Sequence, residues 1–136
     1  MNLQQPIGSS EWAGLFLRIP LGTFFTLASL IKIQNVDAFI ATVKDFGLFQ
    51  NEHLITTVGF IFPWLELIIG ALMILGLWTN LCCIAAMMIL GSIIYAYGLF
   101  PPYVPFNKDL ILFFVVVALM FTGAGKFSID HYKFKN

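Results

Sequence analysis

The sequence predicts an all-α membrane protein: a four-transmembrane-helix antiparallel bundle with a short amphipathic interfacial helix between helices 1 and 2. The first supporting observation is composition, since 60% of the 136 residues are hydrophobic and only 10% are charged. A soluble domain of this size has about a quarter charged residues. The second observation is that the hydrophobic residues form four long runs separated by short polar connections. Backbone hydrogen bonds in lipid must be satisfied within each run, which favours helices.

The four runs predict transmembrane helices at residues 12–32, 54–77, 80–99 and 107–125, and together they form a single domain over residues 1–136. A helix rises about 1.5 Å per residue, so about 20 residues cross the hydrocarbon layer. The fourth run reaches that length only if Lys108 and Lys126 extend to the two membrane surfaces.

The connection between the first two runs has its own helical pattern. Apolar residues recur at helical spacing in residues 36–46, with polar residues on the opposite side. This pattern predicts an amphipathic helix that either lies in the plane of the membrane interface or packs over the mouth of the bundle.

The later connections differ in length. Only "GLWTN" separates the second and third runs, which predicts a tight antiparallel hairpin. Three prolines follow the third run and end its helix. Asn107 then suits the cap of the fourth helix, and Asp109 suits its positive dipole end.

Two charged residues fall inside the apolar runs, Arg18 in the first and Glu66 in the second. Small residues share a helical face with each of them, which places both charges on packing faces. Arg18 and Glu66 therefore form either a buried ion pair that fixes helix register or a ligand-binding site. In the second interpretation Glu66 is a proton acceptor, a candidate catalytic residue or a hydrogen-bond partner for a quinone or a lipid headgroup.

Further charged residues are expected at the helix ends. Lys32 ends the first helix where Asp109 begins the fourth, so these two side chains are expected to pair. In "GAGKFSID", Lys126 complements the end of the fourth helix, while Ser128 and Asp130 bond the turn or pair with Lys126. This corner is either a helix stop or a docking and headgroup-binding surface.

Several site classes are disfavoured. Formal net charge is zero, so nothing favours nucleic acid as a partner. His53 and His131 are predicted at opposite membrane surfaces, and no metal site is expected. Cys82 and Cys83 are adjacent, without the CxxC spacing of redox or covalently bound cofactors, so no covalent cofactor is expected.

Three segments resemble the marker segments of the DoxX family of small bacterial membrane proteins (DoxX/DoxD-like). They are "LRIPLGTFFTLASLIKI", "PWLELIIGALMILGLWTN" and "NKDLILFFVVVALMFTGAGKFSID". The resemblance implies a four-helix bundle in the bacterial cytoplasmic (inner) membrane, linked to quinone or redox complexes.

The expected function is an integral membrane accessory subunit of a larger, redox or quinone-linked complex, without catalytic activity of its own. The alternative is a stand-alone membrane protein that binds quinone or lipid beside Glu66. Expected partners are membrane lipids with other membrane subunits or further copies of the chain. The distribution of lysine and arginine favours cytoplasmic N- and C-termini.

Overall fold

The structure is a computed structural model that describes residues 8–100, 102 and 105–134, and within these residues it contains helices and no strands. Its six helices are α1 (Ser10–Gln34), α2 (Val36–Asp45), α3 (Glu52–Leu75), α4 (Thr79–Tyr97), α5 (Lys108–Thr122) and α6 (Ile129–Phe134). The first five helices begin and end within three residues of the segments expected from the sequence. The short helix α6 was not predicted.

Three helices are long and apolar enough to cross a membrane: Glu11–Gln34, Glu52–Leu75 and Thr79–Tyr97. The chain is therefore a multi-pass membrane protein. Helix α5 is equally apolar but has only 15 residues, fewer than the roughly 20 that a perpendicular crossing requires. The fourth crossing stays a prediction at this point.

Helices α1 and α3 run antiparallel and approach most closely at two glycines. A Cβ atom on Gly70 would lie 2.6 Å from the Thr26 hydroxyl and 2.9 Å from the Gly22 carbonyl oxygen. Only glycine permits this spacing, as in other closely packed membrane helices. The contact fixes the register of the two helices, with Arg18 beside Gly76 at the end of α3 and Lys32 beside Glu66.

Helix α2 continues past the end of α1 along the first half of α3. Ile40 packs on Gly59, where an added Cβ would lie 2.6 Å from the Ile40 side chain. At the far end of α2, the Phe46 ring meets the Tyr97 ring of α4 edge-on at 4.6 Å between centroids. These contacts place α2 over the mouth of the bundle, and its position in the membrane interface stays a prediction.

Helices α4 and α5 pack against each other and against the α1–α3 pair. The shared core is apolar and comprises Leu21, Phe25, Ile69, Met73, Cys82, Cys83, Ala86, Ile89, Leu90, Val116 and Leu119. The predicted tight hairpin between α3 and α4 is confirmed. Its turn uses left-handed backbone at Gly76 (φ 66°) and at Trp78 (φ 50°), a conformation that glycine adopts readily and tryptophan rarely.

Candidate functional site

A cavity of about 630 Å³ lies at one end of the bundle, between α1, α2, α3, α4 and the segment that enters α5. We call this the cavity end of the molecule. Most of the wall is apolar and aromatic, with rings from Phe24, Phe39, Phe46, Phe49, Phe62, Tyr97 and Phe106. The charged residues of the wall are Lys32, Glu66, Lys108 and Asp109. The cavity is thus an apolar space with a few polar groups, the usual composition of a small-molecule site.

Lys32 and Glu66 form an ion pair in the cavity wall. The Lys32 Nζ donates to Glu66 Oε2 at 2.6 Å, and the Glu66 side chain is 2% exposed whereas that of Lys32 is 22% exposed. The ammonium group also lies 5.3 Å from the Phe39 ring centroid and 5.7 Å from that of Phe62. Cation–π attraction therefore holds Lys32 beside the carboxylate. The prediction that Glu66 faces the inside of the bundle is confirmed.

A second ion pair lies at the start of α5. Lys108 Nζ donates to Asp109 Oδ1 at 3.1 Å and lies 5.6 Å from the Phe24 ring centroid. The Asn107 side chain accepts from the Asp109 backbone N–H at 3.0 Å and donates to the Gly98 carbonyl oxygen at 2.9 Å. The predicted Asn107 cap is confirmed, and the cap holds the Asp109 carboxylate at the polar side of the cavity.

The predicted Arg18–Glu66 pair is wrong, because the register of α1 on α3 separates the two residues. Residues before Arg18 pack on the segment that follows α5, as Gly14 does on Gly125, so Arg18 is level with the α3–α4 turn. The predicted Lys32–Asp109 pair is also wrong. Lys32 forms its ion pair with Glu66, and Asp109 forms its ion pair with the adjacent residue Lys108.

The opposite end of the bundle is tightly filled. We call it the packed end, and it comprises the start of α1, the α3–α4 turn and residues 123–134. Here Arg18, 1% exposed, donates from Nη2 to the Phe127 carbonyl oxygen at 3.1 Å. Its Nε and Nη1 atoms have no hydrogen-bond partner among the described residues. The guanidinium lies against Gly76, the C-cap of α3, where a positive charge is favourable to the helix dipole.

Asp130 caps the neighbouring helix α4. Its carboxylate accepts from the Trp78 N–H at 2.9 Å, the Thr79 N–H at 2.8 Å and the Thr79 hydroxyl at 2.9 Å. Burial alone would raise the pKa of Asp130, but these hydrogen bonds outweigh it and hold the pKa below its usual value. The α3–α4 turn thus has Arg18 at the negative end of one helix and Asp130 at the positive end of the next.

The predicted pairing of Lys126 with Ser128 or Asp130 is wrong. Lys126 Nζ lies 3.3 Å from a Glu11 carboxylate oxygen at an exposed position, and such pairs stabilise little. Ser128 is buried; its hydroxyl donates to the Gly125 carbonyl oxygen at 2.8 Å and accepts from the His131 N–H at 3.0 Å. Ser128 therefore bonds the turn, which was the other expectation for this residue.

Metal ligands are not grouped in the part of the chain that the structure describes, where no cluster of three or more His, Cys, Asp or Glu residues is found. Cys82 and Cys83 are buried free thiols in the core. The sequence reasoning missed the cavity itself and the Phe46–Tyr97 contact. The glycine at each side of the α1–α3 crossing was only a partial signal for the Lys32–Glu66 pair. Aligning Gly22 with Gly70 places Glu66 level with Thr26, about 9 Å along the axis from Lys32, and the long Lys32 side chain spans the remainder.

Comparison with known proteins identifies the family. A family model described as methylamine utilisation protein MauE matches residues 10–101, which is more than half of the chain. No curated protein and no solved structure matches. The expected membership in the DoxX family is therefore wrong, because the matching model describes a different membrane family. The chain belongs to the MauE family of membrane proteins, whose description connects it with methylamine utilisation.

Proposed function

We propose that this protein is a membrane accessory component of a methylamine utilisation system, and that it holds a quinone or lipid molecule in the cavity beside Lys32 and Glu66. The observation that supports the proposal most directly is the cavity of about 630 Å³. Ligand sites have volumes of about 300–1,000 Å³ and combine apolar walls with a few polar groups.

The buried charges support a role for the cavity beyond packing. Ionisable residues among transmembrane helices are rare and mark functional sites by default. Glu66 is held in the middle of the apolar helix α3, and its partner Lys32 is partly open. A purely structural pair would be expected to be closed on all sides, whereas this one lines a partly open cavity.

We further propose that α5 is the fourth membrane crossing. Asn107 at its start bonds Gly98 at the end of α4, and Gly123 at its end packs against Gly14 near the start of α1. Helix α5 therefore returns along the length of α4. In this arrangement α2 lies at the membrane interface, and the packed end faces the cytoplasm of a bacterial inner membrane.

The accessory role rests on the family description and on the surface of α4. This helix contains no charged residue, and its exposed side presents large apolar side chains such as Leu81, Ile84 and Met88. Such a face suits the helix of another membrane subunit as well as lipid. In this proposal the chemistry on methylamine belongs to the partner proteins.

Native mass spectrometry of the untagged protein, extracted from its own membrane, tests both parts. We expect a stoichiometric quinone or lipid in the wild type, together with a partner protein at fixed ratio. The variant Ala28→Phe fills the cavity, because Ala28 lines it, and is expected to lose the small molecule. The matched control is Ala71→Phe, on the exposed side of α3.

Two results would contradict the ligand proposal: a wild-type protein without any bound small molecule, or equal occupancy in Ala28→Phe and the wild type. A lone chain without any partner protein would contradict the accessory role.

A further inference from the structure

We infer that the head group in this cavity is neutral and carries ring oxygens in carbonyl or hydroxyl form, as quinone-type rings do, and that it is not a phosphate-bearing lipid head. The inference rests on the proposed function, because it names the ligand class of the same cavity. Three features of the cavity support it: charge balance, hydrogen-bonding groups and shape.

The charges of the cavity wall are balanced. Lys32 is paired with Glu66 at 2.6 Å and Lys108 with Asp109 at 3.1 Å, and these four are the charged residues of the lining. Each ammonium group is thus already compensated. A phosphate that entered this space would approach two carboxylates without finding an uncompensated cation, and burying an unpaired charge is costly. A neutral head group avoids this repulsion.

The Lys32–Glu66 pair offers a donor and an acceptor side by side. An ammonium group has three N–H donors and a carboxylate has about four acceptor positions. The contact between Lys32 Nζ and Glu66 Oε2 uses one of each. Among the described residues, no other hydrogen bond involves either side chain. A ring carbonyl can accept from Lys32, and a ring hydroxyl can donate to Glu66. A quinone presents the first group and its quinol presents the second at the same ring position.

The shape of the cavity favours a flat ring. Aromatic side chains from α1, α2 and its C-cap, α3, α4 and the segment before α5 line the space, namely Phe24, Phe39, Phe46, Phe62, Tyr97 and Phe106. Aromatic rings pack on a planar ring in offset or edge-on geometry. Both lysines are held against ring faces, which keeps their donors at the polar side and leaves the rest of the wall apolar for a tail.

Isothermal titration calorimetry with the full chain in a neutral detergent tests the inference with three probes. They are a decyl-substituted 1,4-benzoquinone, dihexanoylphosphatidylglycerol as anionic lipid, and dihexanoylglycerol as neutral lipid. We expect the benzoquinone to bind at least about tenfold more tightly than either lipid, since it combines a charge-assisted hydrogen bond with a planar ring that packs on the aromatic wall.

The variant Glu66→Gln removes the negative charge and leaves Lys32 uncompensated. We expect this change to shift the preference toward phosphatidylglycerol by about tenfold. The control Glu52→Gln alters the exposed Lys44–Glu52 pair and is expected to leave all three affinities unchanged. If Glu66→Gln does not fold, the ranking of the three probes on the wild type decides alone.

The outcomes separate this inference from the proposed function. If either lipid binds the wild type as tightly as the benzoquinone does, the inference is overturned while the cavity remains a ligand site. If none of the three probes binds, the proposed ligand function fails together with the inference.

Discussion

The packed end and the cavity end of this bundle both hold charged side chains between packed helices, but these side chains bond different kinds of group. At the packed end, Arg18 and Asp130 bond backbone groups at a helix end, a turn and a cap. At the cavity end, Lys32 and Glu66 bond each other beside an open space. Charges that bond backbone fix a shape, whereas charges that bond only each other can exchange partners with a ligand. This difference indicates that the charges of the packed end stabilise the fold, whereas those of the cavity end are available to bind a ligand.

The largest effect that tests this difference between the two ends is expected at two glycines, one at each end, which both have a positive φ angle. Gly125 at the packed end has φ 74°, and an added Cβ would lie 2.7 Å from the Leu15 backbone nitrogen. Gly47 near the cavity end has φ 64° and no atom within 4 Å of an added Cβ. We expect Gly125→Ala to destabilise the fold by about 4 kcal/mol, from left-handed strain plus overpacking, and Gly47→Ala by about 1–2 kcal/mol, from strain alone.

Thermal unfolding of both variants in the same detergent measures this difference. Equal losses at the two glycines would mean that the two ends are packed alike and would remove the basis of the comparison.

A second prediction concerns the ion pair of the cavity end. Lys32→Met leaves the buried Glu66 carboxylate without its partner, and we expect a loss of about 3 kcal/mol, as for other broken buried pairs. The double variant Lys32→Met with Glu66→Met should recover most of that loss, because it removes both charges and keeps the volume. Unfolding of the two single variants and the double variant completes the cycle. Additive losses would show that the two side chains do not interact.

A third prediction concerns the pH dependence of the stability that Asp130 contributes at the packed end. The folded-state pKa of Asp130 is lowered, so its contribution is complete above the unfolded pKa of about 3.9 and is lost as pH falls through the folded pKa. We expect Asp130→Asn to cost about 1–2 kcal/mol at pH 7. The difference in free energy of unfolding between Asp130→Asn and the wild type should become smaller below about pH 4. Unfolding midpoints of both proteins between pH 7 and pH 3 measure this difference. The control is Asp37→Asn, at an exposed position of α2. A difference that does not change with pH would exclude a role for the Asp130 charge.

The smallest effect is expected at an exposed ion pair. Lys44 and Glu52 are 2.9 Å apart, close to the Lys32–Glu66 distance, yet both side chains are well exposed. The hydrogen bond to Glu52 raises the pKa of the Lys44 ammonium group. Exposed pairs contribute little because water screens them, so Lys44→Met should leave the unfolding midpoint unchanged. A loss as large as that of Lys32→Met would show that burial does not decide the strength of these pairs.

The sequence was sufficient to predict the four apolar helices, because each apolar run must bond its own backbone in lipid, whereas the short polar helix α6 was missed. It also predicted the buried faces around Arg18 and Glu66 and the Asn107 cap, which depend on local spacing. The charge pairs were not predictable from depth along each helix alone. Their partners depend on the Gly22–Gly70 contact, which is a property of two helices together and shifts Arg18 away from Glu66.

The family was also misjudged from sequence, for a physical reason. The segments that resemble the DoxX family consist mainly of apolar residues with small residues at helical spacing. Close helix packing in lipid requires this composition in many unrelated membrane proteins. The cavity was not predictable because it depends on how α2 bends over the bundle and meets α4 through Phe46 and Tyr97.

The α3–α4 turn obtains its partners from a part of the chain that is synthesised much later. Arg18 cannot form its hydrogen bond until the Phe127 carbonyl has been synthesised. In the same way, the first amides of α4 cannot be capped until Asp130 has been synthesised. Chains are made from the N-terminus and begin to fold as they emerge. The four apolar helices α1, α3, α4 and α5 are therefore synthesised before the residues that close the packed end. Residues 127–130 therefore complete contacts that the earlier helices leave open, and a chain truncated after α5 would lack the Phe127 carbonyl oxygen that accepts from Arg18 and the Asp130 carboxylate that caps α4.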